Sequence, residues 1–252
     1  MTEEEYADQV QRRLEDCNAS VQRDDTLWCL AVLYAKGFVL IRRDATGDAQ
    51  VSEPLPVELT GIHMEEGLHY AFDSLWISHS GRPMGVLRVD PVTLAVQARF
   101  RIDTGWDSRW FGSVGEIVIG NDAVWALSNG ELHRIDPGNN SESSTNIAFP
   151  VWDVGVAPGL LWTVSRDRIM KLDAGSLTIL QTFTVPSGTE IRDKVYWGEE
   201  RDSSGVTIAD AAAARVLLTV VRPEQLPCHP ECPTIFPGRI EPESGSIVPA
   251  DK

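Results

Sequence analysis

The sequence predicts an all-β fold of repeated four-stranded antiparallel units, with one short helix ahead of them. Three observations carry this. First, residues 121–137 (NDAVWALSNGELHRIDP) read as a β-hairpin. A turn at Asn121-Asp122 leads to an apolar run centred on Trp125, a reversal at Asn129-Gly130 and an alternating run ending in Arg134-Ile135-Asp136-Pro137. Second, the pattern recurs. Leu75-Trp76-Ile77-Ser78 leads to Arg88-Val89-Asp90-Pro91, Leu161-Trp162-Thr163-Val164 to Lys171-Leu172-Asp173, Leu27-Trp28-Cys29-Leu30 to Arg43-Asp44, and Val195-Tyr196-Trp197 to Asp210. Third, two markers keep pace. The aromatic positions Trp28, Trp76, Trp125, Trp162 and Tyr196 stand 34 to 49 residues apart, and the acidic positions Asp44, Asp90, Asp136, Asp173, Asp210 and Glu241 stand 31 to 46 apart. A four-stranded propeller blade takes about 40–50 residues. The fold class is therefore a β-propeller of four-stranded antiparallel blades, because a hairpin with one apolar face must stack on its neighbours.

The elements follow in order. Residues 1–24 place Tyr6, Val10 and Leu14 on one face of an amphipathic helix that starts after Thr2, and this helix is expected to cover a closing edge or the bottom of the disc. One propeller domain fills 25–252, with repeats near 27–58, 60–103, 104–149, 150–185 and 186–222 and a partial repeat at 234–248. This counts five full or near-full blades and a sixth that is partial or composite. Within each blade the marker aromatic fills the wedge between sheets. The Arg/Lys-apolar-Asp triplet ends the next strand, where the Asp accepts backbone N–H groups of the turn. Closing strands are expected at 96–102, 145–149, 179–185 and 215–221, and first strands at 68–72, 116–119 and 153–157.

Composition narrows the partners. A net charge of −15 opposes nucleic acid and anionic membrane surfaces, both of which need a basic face. No apolar run approaches the roughly 18 residues of a membrane span, and the acidic start, Met1-Thr2-Glu3-Glu4-Glu5, does not read as a secretory signal. The expectation is a cytoplasmic monomer. The sequons at Asn18-Ala19-Ser20 and Asn139-Asn140-Ser141 are discounted on the same ground. Cys17 and Cys29 lie near the start, and Cys228 and Cys232 near the end. Free thiols, disulfides and a zinc site at Cys228-His229-Pro230-Glu231-Cys232 all remain open, with free thiols favoured in a reducing compartment.

Candidate chemistry belongs to the loops that enter the first strand of each unit. Three of them carry Trp106, Asp107, Arg109 and Trp110; Trp152 and Asp153; and Glu190 and Arg192. Exposed aromatics beside arginine have the composition of a binding hot spot. Glu66, Glu116, Asp153 and Glu190 sit upstream of the marker aromatics and suggest a ring of carboxylates. His63, Glu65 and His69 offer nitrogen and oxygen donors in one short stretch and form the candidate divalent-metal set. No Ser-His-Asp signature, phosphate-binding glycine loop or nucleotide fingerprint occurs.

The repeated turn, apolar-Trp, Gly and Arg-Ile-Asp-Pro pattern resembles the streptogramin-lyase-like and YVTN-type β-propeller repeats, over residues 27–248. The resemblance implies a propeller. The group includes lyases, sensor domains and binding scaffolds. Its lyases use a metal held by histidines and a glutamate from separate blades, a pattern that the five histidines here do not reproduce. The expected function is a non-catalytic propeller without a cofactor, binding a protein or a small-molecule ligand at the channel mouth through Trp106, Trp110 and Trp152. The alternative is a metal-dependent lyase or hydrolase with His63, Glu65 and His69 near the metal.

Overall fold

The computed structural model describes residues 3–15, 17–33, 37–57, 67–79, 85–102, 117–128, 131–147, 151–187, 189–201, 207–220, 235–241 and 246–249. It divides into two compact portions, 1–117 and 118–252.

The first portion opens with helix α1 (Glu3–Glu15). The sequence reading extended this helix to residue 24, but residues 19–23 form a strand. Ala19 and Val21 alternate there with exposed Ser20, Gln22 and Arg23, a period-2 pattern that suits a half-buried strand. Strands β1 (Ala19–Arg23), β2 (Thr26–Leu33), β3 (Gly37–Arg43) and β4 (Ala49–Val51) form one antiparallel meander in that order. Strands β5 (Leu68–Ala71), β6 (Ser74–His79), β7 (Gly85–Val89) and β8 (Val96–Arg101) form a second.

The first meander is apolar on both faces. Trp28, Leu30, Phe38 and Leu40 pack against Leu68, Leu75, Ile77, Leu87 and Val89 of the second meander. The odd-numbered set Cys29, Ala31, Leu33, Val39 and Ile41 packs against Val10 and Leu14 of α1. The helix therefore covers a face of the first meander. Burying Val10 and Leu14 contributes about 1.5–3 kcal/mol per side chain. Cys17, two residues beyond α1, is joined to Cys29 in a disulfide with Cα atoms 5.5 Å apart. The favoured free-thiol state of this pair is thus overturned. The reason is geometric: Cys29 points to the helix side of β2, where the chain leaving α1 arrives.

The second portion holds three meanders. The third is β9 (Val118–Gly120), β10 (Ala123–Ser128), β11 (Glu131–Ile135) and β12 (Glu142–Asn146). The fourth is β13 (Val151–Ala157), β14 (Leu160–Ser165), β15 (Arg168–Asp173) and β16 (Ile179–Thr184). The fifth is β17 (Thr189–Arg201), β18 (Thr207–Val220), β19 (Ile235–Glu241) and β20 (Ser246–Pro249). One parallel bridge, Thr184 to Ser246, joins the fourth and fifth. The half-copy Gly238-Arg239-Ile240-Glu241 lies in β19 and pairs with β18 and β20 of the fifth meander. Of the run expected to close the fifth unit, 215–221, residues 215–220 fall within β18, a second strand. Trp125, Leu127 and Leu132 of the third meander pack against Val154, Leu161, Met170 and Leu172 of the fourth.

The markers have fixed jobs. In every meander the marker aromatic stands directly opposite a cation: Trp28 and Arg42, Trp76 and Arg88, Trp125 and Arg134, Trp162 and Lys171, Tyr196 and Arg215. The cation lies 5.4 to 5.9 Å from the ring centroid in the second to fourth meanders. The indole N–H groups of Trp76 and Trp125 donate to the carbonyls of Ala71 and Gly120, at 3.0 and 2.9 Å, so neither buried ring leaves its donor unpaired.

The marker Asp residues shape one kind of turn. Asp90 Oδ1 accepts from the N–H groups of Val92 and Thr93, and Asp173 Oδ1 from those of Gly175 and Ser176. These bonds hold both carboxyls below the ordinary carboxylate range. The backbone closes identically three times, with Leu94, Asn140 and Leu177 donating to the carbonyls of Asp90, Asp136 and Asp173 at φ of 56 to 59°.

In a meander, successive connections alternate between the two ends of the sheet. At one end the chain gives two residues between first and second strands, at 24–25, 72–73, 121–122 and 158–159, and five or six between third and fourth strands, at 44–48, 90–95, 136–141 and 174–178. The opposite end is irregular, with connections of 3, 5, 2 and 2 residues inside the first four meanders and much longer ones leading into β5 and β9.

Candidate functional site

The irregular end of the fourth and fifth meanders brings three chain segments together. Strand β13 begins with Val151 opposite Ser165, the last residue of β14, and the next pair is Asp153 with Val164. Trp152 is therefore an extra residue in a β-bulge. In β17 the pairing passes from Ile191–Leu218 to Val195–Val216, so residues 192–194 stand against one residue of β18. Arg192 thus also lies in a bulge. Bulges unpair the strand locally and re-aim side chains, and they gather beside functional sites.

The connection between β14 and β15 sits between these two bulges. The backbone N–H of Ile191 donates to the carbonyl of Arg166 at 2.8 Å. The Arg166 guanidinium donates from Nε to Glu190 Oε2. Arg166 is largely exposed and Glu190 mostly buried, so the carboxylate anchors a guanidinium that faces solvent. Beside them Ser165 donates to Asp167 Oδ1 at 3.2 Å, and Arg168 Nε donates to the same oxygen at 2.9 Å. The Arg168 hydrogen bond holds the Asp167 carboxyl below its usual range, and the Arg168 guanidinium is raised in turn. The arrangement presents Arg166, Asp167 and Arg168 on a short, hydrogen-bonded loop flanked by two strand irregularities.

Of the sequence-selected residues, Trp152, Asp153, Glu190 and Arg192 fall on β13 and β17 at this place. Glu190 is engaged with Arg166. The side chains of Trp152, Asp153 and Arg192 lie outside the described residues. So do Trp106, Asp107, Arg109, Trp110 and Glu116, and His63, Glu65 and Glu66 of the histidine stretch. Cys228 and Cys232 are also outside them. Arg166, Asp167 and Arg168 were missed. Their signal is three charged residues in succession, Arg166-Asp167-Arg168, at a two-residue hairpin connection between apolar strands.

His69 is the described member of the metal set. It stands on β5 opposite Trp76. Gly67 lies two residues before it, and a Cβ there would lie 2.9 Å from His69 Nε2 and 3.1 Å from Ser78 Oγ, so a side chain would displace one or both. The N–H of Gly67 donates to Ser78 Oγ, and the N–H of Ser78 to the Gly67 carbonyl, both at 3.1 Å. These bonds fix where the chain enters β5. No group of three His, Cys, Asp or Glu residues among the described residues is placed to hold a metal ion. Nor is any helix among them long and apolar enough to cross a membrane.

Repeated antiparallel four-stranded meanders, stacked face to face within each portion, place the chain in the β-propeller class of folds. No family model and no curated protein matches the sequence. Among solved structures the chain resembles the extracellular domain of BT4673 from B. thetaiotaomicron, with 13% identity and a TM-score of 0.50, over 80% of this chain and 26% of that one. It also resembles a chain of the S. cerevisiae complex of dbp5 with nup159, gle1, ip6 and adp, with 11% identity and a TM-score of 0.50, over 92% of this chain and 60% of that one. The WD40 domain of Neurospora crassa Pan2 is a further match, with 10% identity and a TM-score of 0.42, over 81% of this chain and 62% of that one. At these identities the likeness concerns the fold alone. The chain spans between about a quarter and three fifths of the length of these structures.

Proposed function

We propose that the chain is a non-catalytic propeller-type module that binds a protein or small-molecule ligand at the irregular ends of its sheets. The observation that supports this most is the pair of bulges at Trp152 and residues 192–194, one on either side of the Arg166–Glu190 pair. The repeated aromatic, cationic and acidic residues are engaged in ring stacking and turn closure, so the variable ends supply the recognition chemistry. In this reading the five meanders are five blades of one propeller of the streptogramin-lyase-like or YVTN-type repeat. Trp106, Trp110 and Trp152 are the aromatic anchors that this reading assigns to the ligand from the sequence. The protein is a monomer. The Cys17–Cys29 disulfide favours an oxidising compartment over the cytoplasm.

Metal content of protein purified without added metal tests the reading. A scaffold yields no stoichiometric ion and keeps its fold in chelator. One divalent ion per chain, lost together with His63, Glu65 or His69, would overturn it in favour of a metal-dependent lyase or hydrolase.

A further inference from the structure

The described portion of α1 is held to the first meander by little more than one face. Val10 and Leu14 are its buried anchors, with Tyr6 partly buried beside them. A helix of 13 residues is marginal in isolation, so its persistence depends on what fastens it to the sheet. The covalent fastening is Cys17–Cys29. It joins the residue two places after α1 to the middle of β2, on the face that α1 covers. Cys17 is half-buried, whereas Cys29 is fully buried, so the disulfide is approached from the Cys17 side. Under α1 lie Ala31, Leu33, Val39 and Ile41, all fully buried. The strand pairing does not run through the helix: β1 is hydrogen-bonded to β2 from Ala19 to Arg23.

We propose that the Cys17–Cys29 disulfide is a redox latch on α1, closed by oxidation and opened by a dithiol. In the opening step a thiolate of the dithiol attacks Cys17 Sγ, the S–S bond breaks and Cys29 leaves as a thiolate that takes up a proton. The second thiol of the reductant then attacks the mixed disulfide and releases Cys17. The protein gains two electrons and two protons, and the dithiol leaves as a cyclic disulfide. Opening releases α1 from the sheet and bares the apolar face made by Ala31, Leu33, Val39 and Ile41. The four strands of the meander stay paired.

Trypsin cleavage at Arg12 and Arg13, in the last turn of α1, reports on the latch. Full-length protein is compared before and after dithiothreitol, beside Cys17→Ser, with hydrogen exchange followed in α1 and in β2–β3 on the same samples. The expected result is at least tenfold faster cleavage at these two sites on reduction, matched by Cys17→Ser, with protection of β2–β3 retained. Unchanged cleavage and exchange in α1 would show that packing alone holds the helix. Loss of protection across β2–β3 would show a structural staple. Two free thiols in protein prepared without reductant would show that no bond forms. Each of these three outcomes overturns the proposal.

Discussion

Arg134 lies directly across the strand pair from Trp125, with its guanidinium carbon 5.9 Å from the ring centroid. The same register places Arg88 against Trp76 and Lys171 against Trp162. In each pair the cation lies over a buried aromatic ring. Such contacts contribute about 0.5–2 kcal/mol each. Replacing Arg134 with Ala is expected to lower stability by about 1 kcal/mol, and Arg134→Lys is expected to recover most of it. Urea unfolding of the two variants checks this; equal losses would assign the effect to the planar guanidinium alone.

His79 is a buried histidine whose titration is moved by desolvation. Burial lowers its pKa from the ordinary 6.5 to about 4, and its Nδ1 has no hydrogen-bond partner among the described residues. A lowered folded-state pKa means that the unfolded chain binds the proton first. Stability is therefore full above the unfolded value and falls as pH drops from 6.5 towards 4, by about 3 kcal/mol across the window. Denaturant midpoints measured across that range should show the fall in the wild type and a flatter profile in His79→Leu.

Thr163 presents a hydroxyl to an apolar environment. It is fully buried, and its Oγ1 has no partner among the described residues. Valine has the same shape without the polar atom. Thr163→Val is expected to raise stability by about 1 kcal/mol, the desolvation cost of an unpaired group. Thermal unfolding of the variant reads the change, and a loss of stability would mean that the hydroxyl has a water partner.

Asn121 is a clamp between the third and fourth meanders. Its Nδ2 donates to the carbonyls of Ala157 and Leu160, both at 3.0 Å, and its Oδ1 accepts the Gly159 N–H at 2.7 Å. Its own φ is 53°. Two effects are separable here. Asn121→Gly keeps the backbone conformation and loses the clamp, with an expected cost of about 2 kcal/mol for the three bonds. Asn121→Ala adds the strain of a left-handed residue, about 1 kcal/mol more. Chemical denaturation of both variants separates the clamp from the turn.

Much of the fold was legible because the residues that mark it also build it. Trp28, Trp76, Trp125 and Trp162 face the interior, and their spacing carries the strand order with it. Asp44, Asp90, Asp136 and Asp173 were legible for the same reason, since each accepts backbone N–H groups of its turn, whereas Asp210 falls inside strand β18. Strand β1 was hidden by its neighbours: Ser20, Gln22 and Arg23 continue the polar composition that follows α1, and five residues are too few to set a period against it. The Cys17–Cys29 bond depends on a helix crossing a sheet face, which no spacing encodes. The fifth meander breaks the pattern because Tyr196 lies on its first strand, whereas the other four aromatics lie on second strands. At the site, Trp152 and Arg192 stood out by residue type. The partnership of Arg166 with Glu190 spans 24 residues and two meanders, and it became visible only with the strands in place.

The two ends of each sheet live under different rules. In the second, third and fourth meanders the Asp turn closes over the same span, because a left-handed residue, Leu94, Asn140 or Leu177, has to land where its N–H meets the carbonyl of the aspartate. An added or deleted residue there would shift the register and turn the core side chains outward. The other end carries no such metronome. An insertion at the irregular end therefore leaves the strand register intact where the same insertion at an Asp turn would break it.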